Sequence, residues 1–393
     1  MTKGISMTND ALIDRRHFSL GAAALAASVF APAARAESWA VPSTAPIQPR
    51  IRALYDRSIV IDALASPSTW NVFYPAPGPL TAEQLDNIRK SGLTAINLTV
   101  GKPGTLIETV REIGLWLRQI ELHPDRLLLV RRHADIAAAK AQKKLAVIFG
   151  FQGMGMIGED LTLIDTFADY SVKIMQLTYN DKNALGAGSS MPEKEGLSAL
   201  GREAVARMNA RNILVDLGHA NPTTALDATG ASSGPVTISH TGCRAVFDSQ
   251  RNLPDPVLRA VAEKGGVVGI YLMPFLGNDP IAPSKALFMR HLRHAIDICG
   301  EDHVGIGTDQ SITPIDISPT YMAMVRKTAA ARKAAGIGAP GEADGPITVP
   351  ELNSARRIEL IAAELDKAKY PISTIEKVIG GNFDRLFRTV WHV

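Results

Sequence analysis

Residues 212–219 read Asn212-Ile213-Leu214-Val215-Asp216-Leu217-Gly218-His219, and residues 235–240 read Pro235-Val236-Thr237-Ile238-Ser239-His240. Each is a short, nearly all-apolar run that ends on polar residues. A strand covered by helices on both faces of a parallel sheet reads this way. Six further runs share the pattern: Ser58–Ala63, Thr94–Val100, Leu145–Phe151, Val172–Thr178, Gly266–Tyr271 and His303–Gly307. Amphipathic stretches lie between them, among them Leu106–Glu121, Glu203–Arg211, Pro256–Glu263 and Phe288–Cys299. Eight such alternations predict a (β/α)8 TIM barrel. A doubly wound sheet is the alternative, but it would normally carry a Gly-rich phosphate loop after an early strand, and none is present.

The length of 393 residues suits one large barrel. A chain 46% hydrophobic and 21% charged is globular, and a net charge of +3 argues against a nucleic-acid reader. Two cysteines exclude a disulfide scaffold and a Cys-rich zinc module. Cys243 follows the sixth run and Cys299 precedes the eighth, which places them at opposite barrel ends, too far apart to bridge. Past the eighth run, Thr320–Ala335 reads as a helix, Gly336–Pro346 as a loop, and Val349–Ala368 and Ile372–Gly380 as closing helices.

The N-terminus reads as an address. Arg15-Arg16 precedes an apolar, Ala-rich run from Gly21 to Pro32, followed by the small-x-small site Ala34-Arg35-Ala36. This resembles a Tat export signal over residues 1–36 and implies a periplasmic protein. The apolar run is too short for a stable membrane anchor. Residues 37–57 are expected as an N-terminal extension, Pro-rich and mobile from Trp39 to Pro49, with the barrel and its C-terminal helices over 58–393.

A barrel of this kind carries its chemistry at the C-terminal ends of its strands. There stand His219, His240 and, in Gly307-Thr308-Asp309, Asp309. Two imidazoles and a carboxylate make a catalytic Zn²⁺ set. His123, His133, His291 and His294 fall on predicted helices or their flanks and read as surface residues. Asp62 reads as a strand-end carboxylate, and Glu159 and Asp160 as residues that could swing in as replacement ligands.

Several strings, taken in order, resemble the membrane (renal) dipeptidase family, metallopeptidase family M19. They are Asp216-Leu217-Gly218-His219, Ile238-Ser239-His240, Arg251-Asn252-Leu253-Pro254-Asp255, Gly265-Gly266-Val267-Val268-Gly269, His303 to Asp309, and Gly380-Gly381-Asn382-Phe383. The resemblance implies a two-zinc barrel that cleaves dipeptides. It also implies that His219 and His240 hold the second metal, that Asp309 is the eighth-strand ligand and catalytic group, and that Arg251 binds the substrate carboxylate. Members often form homodimers, so a homodimer is the partner it implies.

The chain departs from that pattern at three ligand positions. Leu64 and Ser66 stand where the family has His and Asp, and Gln152 stands where it has the bridging Glu. Tyr179 replaces a His that contacts substrate. Two adjacent dications rely on flanking carboxylates and a bridging anion, so the expectation is one zinc on His219, His240 and Asp309, or none. The function expected is a metallohydrolase acting on dipeptides or related small amides, with Arg251 and Tyr179 positioning the substrate carboxylate. A catalytically silent periplasmic binding protein that lost the first metal site is the alternative. An unrelated lactonase- or deaminase-type barrel would lack the Arg251–Asp255 string.

Overall fold

A computed structural model describes residues 46–68, 79–101, 104–278, 283–335 and 346–391. The export address of residues 1–36, the segment 37–45 and most of the expected loop 336–346 lie outside the described residues.

Eight parallel strands form the barrel: β1 Ile61–Asp62, β2 Ala95–Gly101, β3 Leu145–Phe151, β4 Val172–Gln176, β5 Leu214–Asp216, β6 Thr237–Cys243, β7 Val267–Ile270 and β8 Val304–Ile306. They follow one another round the sheet in chain order. β3 and β6 are buried at every residue, and this burial on both faces is what the apolar runs predicted. β1 is shorter than the run Ser58–Ala63, because only Ile61 and Asp62 pair with β2, at Ala95 and Ile96. The ring closes between β1 and β8 through the Ala63 N–H, which donates to the Ile306 carbonyl at 2.9 Å. Beyond that seam, Ala65–Ser66 pairs in parallel with Gln310–Ser311.

Several of the helices between strands start where short polar side chains supply the first turn's missing acceptors. Thr81 and Gln84 form a capping box on Ala82–Ser91, as Thr105 and Glu108 do on Leu106–Leu122. Ser198, Asn221 and Ser284 cap the helices Ala199–Ala210, Pro222–Ala231 and Lys285–Cys299. After β8 comes Pro319–Ala334, capped by Ser318. The expected helix Val349–Ala368 is broken: a 3₁₀ turn spans Pro350–Leu352, and the α-helix runs only over Arg357–Lys367. Asn353 causes the break by turning its amide to both the N–H and the C=O of Ile315.

The region expected as an extension contains a helix, Pro49–Arg57, that buries Ile51, Leu54 and Tyr55. Arg50 pairs with Asp366 and Arg52 with Glu359, both at 2.7 Å, which docks it on Arg357–Lys367.

One surface reading is corrected. His291 is fully buried: its Nε2 meets the Leu276 carbonyl at 2.8 Å, and its Nδ1 accepts from the Cys243 N–H at 2.9 Å. The face of Lys285–Cys299 that carries it packs on the end of β6, so it is a core histidine. His133 and His294 lie part-exposed against Asp384 and Asp255. Cys243 and Cys299 are both free and buried.

Candidate active site

The polar residues gather where β3 to β6 end. β5 turns at Gly218 into His219, and β6 carries His240 in its interior. A Cβ on Gly218 would lie 2.9 Å from the His240 ring, so only glycine lets the two strand ends approach this closely. The imidazole centroids of His219 and His240 are 4.9 Å apart. Both residues are almost wholly buried. Burial, and then the charge of Arg251, hold each pKa well below the ordinary histidine value, so both are neutral at physiological pH.

A neutral imidazole has one donor and one acceptor nitrogen, and the neighbours fix which is which. The Asn180 Oδ1 lies 2.8 Å from His219 Nδ1 and can only accept, so Nδ1 carries the proton. Nε2 of His219 then accepts from the Arg251 guanidinium at 3.3 Å. His240 repeats the arrangement. Its Nδ1 meets Ser239 Oγ at 2.8 Å, and its Nε2 faces the Gln152 amide nitrogen at 3.5 Å, a long contact. Gln152 is oriented by Thr99, whose hydroxyl donates to Gln152 Oε1 at 3.1 Å.

Asp216 anchors the network from below. Its carboxylate accepts from the Ser239 N–H at 2.8 Å, the Gln176 amide at 2.8 Å and the Gly218 N–H at 3.1 Å. Burial raises its pKa against those bonds.

Arg251 sits on the segment after β6 and is 3% exposed. Its other nitrogen donates to the Gly218 carbonyl at 2.8 Å, and the rings of Tyr271 and Phe275 lie 6.0 Å away. Tyr179 stacks on His219, with centroids 4.1 Å apart. The Tyr179 hydroxyl accepts from Arg332 at 3.2 Å, and that guanidinium lies 5.8 Å from the ring. Arg332 reaches in from the helix Pro319–Ala334.

The β1 side differs. Leu64 is fully buried and Ser66 is 2% exposed, its Oγ 3.1 Å from that of Ser68. Asp62 ties the seam by accepting from the Thr308 N–H at 2.8 Å, the Thr308 hydroxyl at 2.6 Å and the Leu64 N–H at 3.3 Å. Burial pushes its carboxyl up to about 6. Asp309 follows β8 with φ 56°, a left-handed conformation that Asp tolerates better than most residues. Its N–H donates to the Leu64 carbonyl at 2.8 Å. The charge of Asp309 reaches Tyr271, whose ring is 6.4 Å from that of His240.

Glu159 is exposed, and Asp160 is used locally, accepting from the Thr162 N–H at 2.9 Å where the next helix begins. The sequence reading gave no role to Asn180, Ser239, Thr99 or Arg332. The first two are polar residues at strand ends, a signal that was available. Arg332 lies on a distant helix and gave none.

This geometry defines a (β/α)8 barrel with its polar residues at the C-terminal mouth. A family model for membrane dipeptidase, peptidase family M19, matches residues 68–319. The chain belongs to that family, which is one of metallopeptidases. Dipeptidase tcpJ of Claviceps purpurea is 30% identical over 205 residues, 51% of this chain and 48% of that protein. An uncharacterized dipeptidase, C965.12, of Schizosaccharomyces pombe is 27% identical over 288 residues, 69% of this chain and 68% of that one. For the two fungal dipeptidases tcpJ and verJ, the chain spans about half the length of the relative it matches, 48% and 53%. Among solved structures, an amidohydrolase from Pseudomonas aeruginosa superposes with TM-score 0.75 at 29% identity, covering 87% of this chain and 99% of that one. A metallo peptidase from Rhodobacter sphaeroides, liganded with a phosphinate mimic of L-Ala-D-Ala, shares the fold with TM-score 0.67 at 19% identity, over 85% and 100% of the chains.

The family's metals can be tested against the residues present. The two histidines keep the orientation of ligands, with Nδ1 tied to protein and Nε2 toward the mouth. Both Nε2 atoms, however, face protein donors, Arg251 and the Gln152 amide. Leu64 offers no donor atom. Among the described residues, no three His, Cys, Asp or Glu side chains gather closely enough to hold an ion, so Asp309 does not complete a ligand set with the histidines. The residues present do not fit the family's binuclear centre, and they do not fit the single three-ligand zinc expected from the sequence.

Proposed function

We propose that this chain hydrolyses dipeptides or related small amides that carry a free carboxylate. The observation that carries the reading is Arg251, a buried guanidinium at the mouth, braced by the Gly218 carbonyl and floored by Tyr271 and Phe275. A buried cation in a low-dielectric site selects an anionic group, and a planar fork suits a carboxylate. Tyr179 offers a hydroxyl from a ring stacked on His219. Asp309 supplies the base. Water's proton passes to Asp309 as its oxygen bonds the amide carbon, and the departing amine takes that proton as the C–N bond breaks. The dipeptidase relatives and the family model support the substrate class. The address at residues 1–36 supports export through the Tat route to the periplasm, and the family supports a homodimer.

The test is release of free amino acids from L-alanyl-L-alanine, with binding followed by calorimetry. Arg251→Gln should weaken binding by about 100-fold, as expected for loss of a charge-assisted pair, and Asp309→Asn should abolish product while sparing binding. Binding without product in the wild type would replace this reading by the ligand-retaining one. Neither binding nor product would remove both.

A further inference from the structure

We infer that the barrel mouth is a metal-independent site, in which hydrogen bonds from Arg251 and Gln152 take the two imidazole lone pairs that a metal would use. The inference rests on the proposed function only for the class of ligand, a small carboxylate-bearing amide.

Three observations converge on it. First, each histidine has both ring nitrogens engaged by protein. His219 lies between Asn180 at 2.8 Å and Arg251 at 3.3 Å, and His240 between Ser239 at 2.8 Å and Gln152 at 3.5 Å. Second, the donor directions agree along the whole relay. Thr99 donates to the Gln152 carbonyl, which turns the Gln152 amide toward His240 Nε2 and leaves His240 Nδ1 to donate to Ser239. Ser239 and Gln176 are in turn held by Asp216. A carboxylate at position 152 would have no proton to offer His240, so glutamine is the residue type that this relay requires. Third, two of the family's ligand positions on the β1 side of the mouth serve packing and pairing. Leu64 is fully buried, and Ser66 lies in the strand pair with Gln310–Ser311. Arg251, which the Gly218 carbonyl holds in place, supplies a fixed positive charge beside His219.

The experiment measures metal rather than turnover. The full chain is produced in zinc-supplemented medium, purified without chelators, and analysed for zinc by elemental analysis. Less than about one ion per ten chains is expected, because a site without a complete ligand set does not retain zinc through purification. The melting temperature should shift by under about 1 °C with added zinc or EDTA, since a ligand that does not bind the native state does not stabilise it. Binding of L-alanyl-L-alanine should be the same with and without EDTA. Leu64→His, Ser66→Asp and Gln152→Glu together should raise zinc to about one ion or more per chain. If that triple variant fails to fold, Gln152→Glu alone should raise zinc uptake severalfold over the wild type. A wild type near one zinc per chain, lost in His219→Ala, overturns the inference. So does a well-folded triple variant that takes up no zinc. Failure of the hydrolase reading shows separately, as absent product at unchanged metal content.

Discussion

The two halves of the barrel mouth have been put to different uses. Where β5 and β6 end, His219 and His240 are held by a continuous polar relay that runs from Thr99 to Asp216. Where β1 and β8 end, the same kinds of strand terminus form a seam: Asp62 gathers three donors, Leu64 packs, and Ala65–Ser66 pairs with Gln310–Ser311. The contrast teaches that a barrel can turn one half of its site into structure while keeping the other half's orientation. Losses at the seam's packed and pairing residues, Asp62 and Leu64, should therefore appear as stability, and losses at the relay as ligand binding; Asp309, beside the seam, keeps its proposed role as base.

The largest effect is expected at the seam. Asp62→Ala leaves the Thr308 and Leu64 N–H groups buried without acceptors, and should lower the free energy of unfolding in urea by about 4 kcal/mol. A loss below about 1 kcal/mol would erase the contrast between the halves.

A pH experiment sharpens the same point. Burial holds the Asp62 carboxyl up at about 6, against an ordinary value of 3.8. Between those values the native state binds a proton that the unfolded chain does not. The contribution of Asp62 to stability is therefore complete below about pH 4, falls as pH rises to about 6, and is flat above. Asp62→Asn removes this dependence. The wild type should lose about 2 to 3 kcal/mol more than the variant between pH 4 and pH 6.5. Equal pH profiles would show that the carboxyl is not so perturbed.

At the relay the expected effects are smaller and of another kind. Asn180→Ala frees the His219 ring and should weaken dipeptide binding by about tenfold, while stability changes by about 1 kcal/mol. A loss of several kcal/mol in stability would make this half structural too. Arg332→Ala removes a part-exposed cation from the Tyr179 ring, for about threefold in binding and under about 0.5 kcal/mol in stability.

Much of this was legible along the chain. The eight apolar runs placed every strand of the barrel, and β3 has the limits read from the sequence, because a doubly covered strand must be apolar throughout. The polar strand ends marked His219, His240 and Asp309 as mouth residues, and the family resemblance singled out Arg251 for the substrate carboxylate and Leu64, Ser66 and Gln152 as departures. His291 was misread because a lone histidine in an amphipathic helix looks alike whether its face meets water or the end of β6.

What the sequence determined by itself is the alternation and the chemical inventory, since strand burial and ligand type are properties of single residues and their neighbours. What only the tertiary structure decided is which atoms face each other. Gln152 and His240 lie 88 residues apart, and Arg251 and His219 lie 32 apart. Whether an imidazole lone pair meets a metal or an amide proton depends on closing the barrel to within a few ångströms. No spacing along the chain encodes that, because the approach is set by the packing of eight strands at once.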